Sequence, residues 1–232
     1  KIDAIRIATY ALEKAYKLVP YAALEQKYED LKFLSRQYNQ RISSVSCAKV
    51  QLINLLDQTM PGITYLLPLR SRNPEQCVLL LFIKRFKSFD EINKIGKTRF
   101  ISSYTTLVKK TRDRHALSKG LAIYELAKNS ITTRGEDPYI QLAQSQCVDL
   151  LSSHQNAADE IILQMQTIAE TIPEYKVLRS MAGVGDRLGP VILAEIGDIR
   201  RFHSGKALNS FAGNDAPPYQ SGQFESRNRH IS

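Results

Sequence analysis

Near its C-terminal end the 232-residue chain reads APPYQSGQFESRNRH (residues 216–230). Ser221 follows a Pro-Pro-Tyr phrase and precedes Gly222, and Arg227, Arg229 and His230 come six to nine residues later. A serine that attacks a phosphodiester needs cations around the charge developing on phosphorus and a group to take its proton. Both ingredients are present. Pro217 and Pro218 bar a regular helix there, which places the serine in a loop after a helix. Residue types alone do not choose further: Tyr219 meets the same description as a nucleophile, and a loop Ser-Gly is also an ordinary turn.

Upstream, LRSMAGVGDRLGPVILAEIG (residues 178–197) has the pattern of two apolar helices joined by a tight Gly183-Val184-Gly185 turn. Val177, Leu178 and Met181 form the apolar side of the first helix, and Leu188, Val191, Ile192 and Ile196 that of the second. Glycine lets the backbone turn sharply and approach a partner closely, and free N–H groups at the start of a helix suit a phosphate. This helix-hairpin-helix-like motif can grip a nucleic-acid backbone without reading its sequence, or serve only as a corner between helices. Arg187, Arg200, Arg201 and Lys206 supply nearby cations, although a run of charge is more often a solvated face. At the other end, Asp3 of KIDAIRIA opens a helical pattern, where a single carboxylate caps the N-terminus; one carboxylate does not make a two-metal site.

The elements that would position these residues read as helices. Positions 24, 28, 31, 35, 38, 42, 45, 49, 52 and 56 alternate steps of four and three, are mostly apolar, and have no Gly or Pro among them. That pattern predicts one long helix over about 22–59, a coiled-coil type of seam, ended by Met60-Pro61-Gly62. A second heptad row, Cys147, Leu151, His154, Ala158, Ile161, Met165, Ile168 and Ile172, predicts a long helix over about 141–171, closed by Pro173. On that row His154 reads as a packed core histidine rather than a metal ligand. The two helices fit either an antiparallel pair within the chain or a seam between subunits. Between them, PEQCVLLLFIKRF suggests a helix opened by Pro74. SFDEINKIG suggests one with a Ser88/Glu91 capping box and a stop at Gly96, and HALSKGLAIYELAKNSI a third. No stretch shows convincing strand alternation. The expected fold is mainly α: long heptad helices beside a compact helical C-terminal domain.

Net charge is +9, and it is segmental. Residues 61–140 carry 15 Lys and Arg against 7 Asp and Glu, whereas residues 141–172 carry four acids and no Lys or Arg. The basic segment is either a solvated helical surface or a nucleic-acid contact. No apolar run approaches the roughly 18 residues needed to cross a bilayer, so no membrane partner is expected. Cys47, Cys77 and Cys147 are odd in number and widely spaced, which argues against a disulfide framework or zinc site and for a reducing cytoplasm.

Taken in order, AEIGDIRRF, FAG and the proline-then-QSG phrase closely resemble the C-terminal domain of the bridge-RNA-guided insertion-sequence transposases and recombinases of bacteria and archaea. The resemblance covers nearly all of 1–60 and 145–232 and is weaker between. It implies a RuvC-like DEDD domain ending within 1–60, a basic helical segment at 61–140, a coiled-coil helix at 141–172 and a serine transposase domain at 173–232. The family's nucleophile falls on Ser221, and its fourth acid, in a D-x-x-D-A phrase, falls on Asp3 of KIDA. The other three acids have no counterpart in this sequence, nor does a basic KRG phrase that follows HIS in the family. On this reading the chain is cut at both ends and inactive as it stands. The resemblance further implies Mg²⁺ held by the acids, with Asp3 as one ligand, and a prokaryotic, nucleoid-associated protein. Its partners would be DNA, a guide (bridge) RNA and further copies of itself as a dimer or tetramer. The competing readings are a non-catalytic helical nucleic-acid-binding module and a purely structural coiled-coil oligomer.

Overall fold

A computed structural model describes residues 2–17, 25–69, 74–109, 115–214, 220–221 and 224–225. The fold is mainly α, as the sequence predicts. Two long helices dominate it: α2 (Gln26–Thr59) and α8 (Pro138–Glu170), of 34 and 33 residues. They lie antiparallel against each other, so the heptad rows are used within the chain. The N-terminal part of α2 (Tyr28, Leu31) packs with the C-terminal part of α8 (Ile162, Met165, Ala169). Its C-terminal part (Ala48, Leu52, Leu56) packs with Cys147, Val148 and Leu151 at the other end of α8.

Of the predicted row on α2, Tyr28, Leu31, Ser35, Val45, Leu52 and Leu56 are buried, Tyr38 and Ile42 are half-buried, Ala48 is buried in place of Lys49, and Leu24 lies outside the described residues. Of the eight positions predicted for the second row, three are displaced. Cys147, Leu151, Ala158, Met165 and Ile172 are buried as expected, but Val148, Gln155, Ile162 and Ala169 are buried rather than His154, Ile161 and Ile168. Both sets keep 4-3 spacing, and periodicity cannot separate two rows one residue apart. His154 is consequently half-buried beside the seam. Helix α8 starts one turn earlier than predicted because Asp137 caps it: its carboxylate accepts from the Tyr139 N–H at 2.8 Å, with Pro138 at the first helical position.

At one end of this pair the basic segment folds into α3 (Ile63–Leu66), α4 (Val78–Arg85), α5 (Phe89–Ile95), α6 (Lys97–Val108) and α7 (Ala116–Asn129). Their core is aromatic. Phe82 and Phe86 sit 5.1 Å apart by ring centroid, and Phe86 meets Phe100 edge-on at 5.0 Å. Pro74 does not open α4; it begins a separate short 3-10 turn, and the helix starts at Val78. The Ser88 hydroxyl accepts from the Glu91 N–H at 3.2 Å as a capping box requires, while Glu91 reaches back to the Lys87 N–H at 2.9 Å instead of Ser88.

At the other end, α9 (Glu174–Ser180) and α10 (Leu188–Ile196) close a second core of Tyr175, Leu193 and Ala194 with α2 and α8. A short helix α11 (Gly205–Phe211) follows. Last comes an antiparallel pair of two-residue strands, β1 (Gln220–Ser221) and β2 (Phe224–Glu225). This pair contradicts the expectation of a plain loop, and two residues are too few for an alternating pattern to register.

Candidate nucleic-acid interface and nucleophile

The Gly183–Gly185 turn lies where the sequence puts it, between α9 and α10; of the expected apolar residues Leu178 and Val191 pack against the core, but others do not. Val177 is 62% exposed, Met181 52% and Leu188 48%, and α10 packs through Gly189, Pro190, Leu193 and Ala194 instead. Gly189 allows this close approach: a Cβ there would stand 2.9 Å from the Tyr175 ring. Gly183 has φ +86°, a left-handed value that glycine adopts freely. Gly185 has no such requirement, and nothing lies within 4 Å of where its Cβ would be. The second glycine thus leaves open space outside the turn.

That space is one wall of an open groove of about 610 Å³ between the turn and α8, lined by Asp159, Leu163, Gln166, Gly183, Gly185 and Arg187 among others. Gln166 fixes the turn by donating to the Asp186 carbonyl at 2.8 Å. The Arg187 guanidinium donates to the Asp159 carboxylate at 2.6 Å, and Arg179 pairs with Asp186. These acids are what reading the turn by itself misses. The signal was there in the cation-free stretch 141–172: its carboxylates meet cations from other segments, Asp159 with Arg187 and Asp149 with Lys84.

Beyond α10, Arg200 bridges Asp198 at 2.8 Å and Glu25 at 3.2 Å, tying this region to the start of α2. The hydrogen bond from Arg200 holds the Asp198 carboxyl below its usual range. Lys27, assisted by Arg200, does the same for Glu25. The Arg201 guanidinium sits 4.6 Å from the ring centroids of both Phe202 and Phe211, and Lys206 is exposed on α11. Arg227, Arg229, His230 and Tyr219 lie outside the described residues.

For Ser221 the backbone alone is described, paired with Phe224 across the two-strand hairpin. Asp3 lies in the first turn of α1 (Ile2–Glu13), exposed along with its neighbours through Tyr10. Among the described residues no group of three or more His, Cys, Asp or Glu could hold a metal ion. The donor set around Asp3 therefore does not by itself fit a divalent cation. No helix among the described residues is long and apolar enough to cross a membrane.

Residues 175–232 match the model of the transposase IS116/IS110/IS902 family, and residues 1–61 match a DEDD transposase model of the IS110 group. Together they take in just over half the chain, and the C-terminal match spans the turn, the Arg200–Lys206 stretch and Ser221. Neither a curated protein nor a solved structure matches the chain.

Proposed function

The chain belongs to the IS116/IS110/IS902 family of insertion-sequence transposases, and from that premise we propose that it exchanges DNA strands through Ser221. The observation that carries this is the placement of a family match over each end of the chain, the C-terminal one running through Ser221. In the proposed step the Ser221 hydroxyl oxygen bonds to a backbone phosphorus as the bond from phosphorus to a deoxyribose oxygen breaks. The serine proton passes to a neighbouring base and the departing deoxyribose leaves as a hydroxyl. The phosphoserine ester conserves the bond, and a hydroxyl from the exchanging strand attacks it, releasing the serine. Arg227 and Arg229 would offset the charge that builds on phosphorus.

The same reading gives the remaining parts their roles. The turn at Gly183 and Gly185, with Arg201 and Lys206, holds the DNA backbone, while Arg187 and Arg200, paired with Asp159 and with Asp198 and Glu25, brace the turn and the segment after α10. DEDD transposase domains are metal-dependent, and Asp3 is the proposed contribution of this chain to a Mg²⁺ site. A guide RNA chooses the target and copies of the protein assemble around DNA in the bacterial or archaeal cytoplasm, with 1–60, 61–140, 141–172 and 173–232 as the working divisions. Since α2 and α8 satisfy each other's heptad rows, assembly would use other surfaces of these helices.

The test traps a covalent adduct between DNA and the gene product that carries this chain, and maps it by mass spectrometry. The expected site is Ser221, with Ser221→Ala abolishing strand exchange while duplex binding persists. An adduct on Tyr219, or full exchange by Ser221→Ala, would sink the assignment.

A further inference from the structure

The basic segment has a face that the transposase reading leaves unused. An open groove of about 630 Å³ runs along α6 beside the end of α4, lined by Arg85, Thr98, Arg99, Ser102, Ser103 and Thr106 together with Leu107. Among the described residues no carboxylate lines it. The cations around it are treated differently by the fold. Lys84, Lys94 and Lys97 are paired with Asp149, Glu136 and Glu125. Among the described residues no carboxylate pairs with Arg85 or Arg99, and both are exposed. The Arg85 guanidinium lies 5.3 Å from the centroid of the Phe86 ring, and Phe86 is fully buried in the aromatic core. The charge is therefore mounted on a packed support. Thr98, Ser102 and Thr106 recur every four residues, so they form one row with a rise of about 6 Å per step. Thr106 turns its hydroxyl back to the Ser102 carbonyl at 2.9 Å.

Guanidinium groups that no described carboxylate pairs, set beside hydroxyl side chains, are the donor set that positions phosphates. Among the described residues the groove has no aromatic side chain, and single-stranded nucleic acid is gripped by stacking its bases on such rings. We infer that the α4–α6 groove is a second DNA contact, binding the phosphate backbone of duplex DNA through Arg85 and Arg99. This deepens the DNA-handling reading and rests on it, but uses a surface separate from the Gly183–Gly185 turn. The turn is anchored at Gln166 of α8 and α4 packs near Val148, about 27 Å apart along the helix axis.

The experiment measures affinity of the chain for a short mixed-sequence DNA duplex by fluorescence anisotropy over a salt series. Arg85→Gln/Arg99→Gln is compared with Lys84→Gln/Lys97→Gln, which removes the same formal charge from paired positions. Each phosphate contact contributes about 0.9 to the slope of log affinity against log salt, so losing two lowers it by about 1.8. Between about 50 and 200 mM salt, the affinity lost by the arginine variant is then about 12-fold smaller than that lost by wild type. The lysine variant keeps most of the slope. Equal slopes for the two variants would mean only diffuse charge and overturn the inference. So would absence of duplex binding by wild type, or tighter binding of a single strand or an RNA duplex in an arginine-dependent manner. Gly185→Val, run in parallel, separates the surfaces: failure of the turn leaves the arginine effect intact, and failure of the groove leaves the Gly185 effect intact.

Discussion

Gly183 and Gly185 differ in what they ask of the backbone, so replacing each by valine separates a folding effect from a binding effect. At Gly183, φ is +86°, where a β-branched residue is a genuine outlier; the left-handed conformation costs about 1–2 kcal/mol. At Gly185 nothing lies within 4 Å of a new Cβ and no positive φ is required. Gly185→Val should therefore leave stability within about 0.5 kcal/mol of wild type. If the turn carries a DNA backbone, the valine methyl groups occupy the space through which a phosphate approaches, and duplex affinity falls all the same. Urea denaturation followed by circular dichroism gives the stability, and anisotropy with labelled duplex gives the affinity. The expected pattern is Gly183→Val weak in both assays and Gly185→Val weak in binding only. Unchanged duplex affinity in Gly185→Val would refute the phosphate-gripping role, and a stability loss equal to that of Gly183→Val would refute the geometric argument itself.

Within the long-helix seam, Gln144 donates to Thr59 at 2.5 Å, both side chains being buried. Thr59→Val leaves that amide unpaired and should cost about 1–3 kcal/mol in urea denaturation, most of it recovered in Thr59→Val/Gln144→Leu. Leu52 is fully buried where α2 meets the aromatic core. Leu52→Ala should cost about 2–5 kcal/mol, against about 0.5 kcal/mol or less for the exposed Leu163→Ala. Asp198 and Glu25 both have lowered carboxyl pKa values, set chiefly by Arg200 and Lys27 respectively. Their link between α2 and the region after α10 is complete above the ordinary carboxylate range and is lost as pH falls below that range, through the lowered pKa values. Hydrogen exchange at the start of α2 should rise there, and Arg200→Gln should remove that pH dependence.

Helix content, both long helices and the position of the glycine turn were legible because each rests on local information. A 4-3 apolar rhythm needs no partner to be recognised, and Pro and Gly punctuate the chain through their own φ preferences. The row on α8 was legible only in part: Val148, Gln155, Ile162 and Ala169 keep the same spacing as their neighbours, and it is contact with α2 that selects them. The apolar sides expected of α9 and α10 held only in part, with Leu178 and Val191 against the core but Val177, Met181 and Leu188 exposed, for a related reason. Short helices satisfy several faces equally, and here Gly189 and Pro190 form the contact because Tyr175 lies against them.

The sequence by itself determined that the chain is mainly α, that its charge is divided by segment, and that Ser221 stands within the stretch 175–232 that matches the family's model. The tertiary structure alone decided that the heptad helices satisfy each other within one chain. It also decided which cations are spent. Arg187 and Lys84 find acids on α8, whereas Arg85 and Arg99 are left facing solvent along α6. The physical reason is that a charge is neutralised by what lies within a few ångströms of it. In this chain those neighbours are supplied by α8, whose Asp159 and Asp149 lie 28 and 65 positions from Arg187 and Lys84 in the sequence.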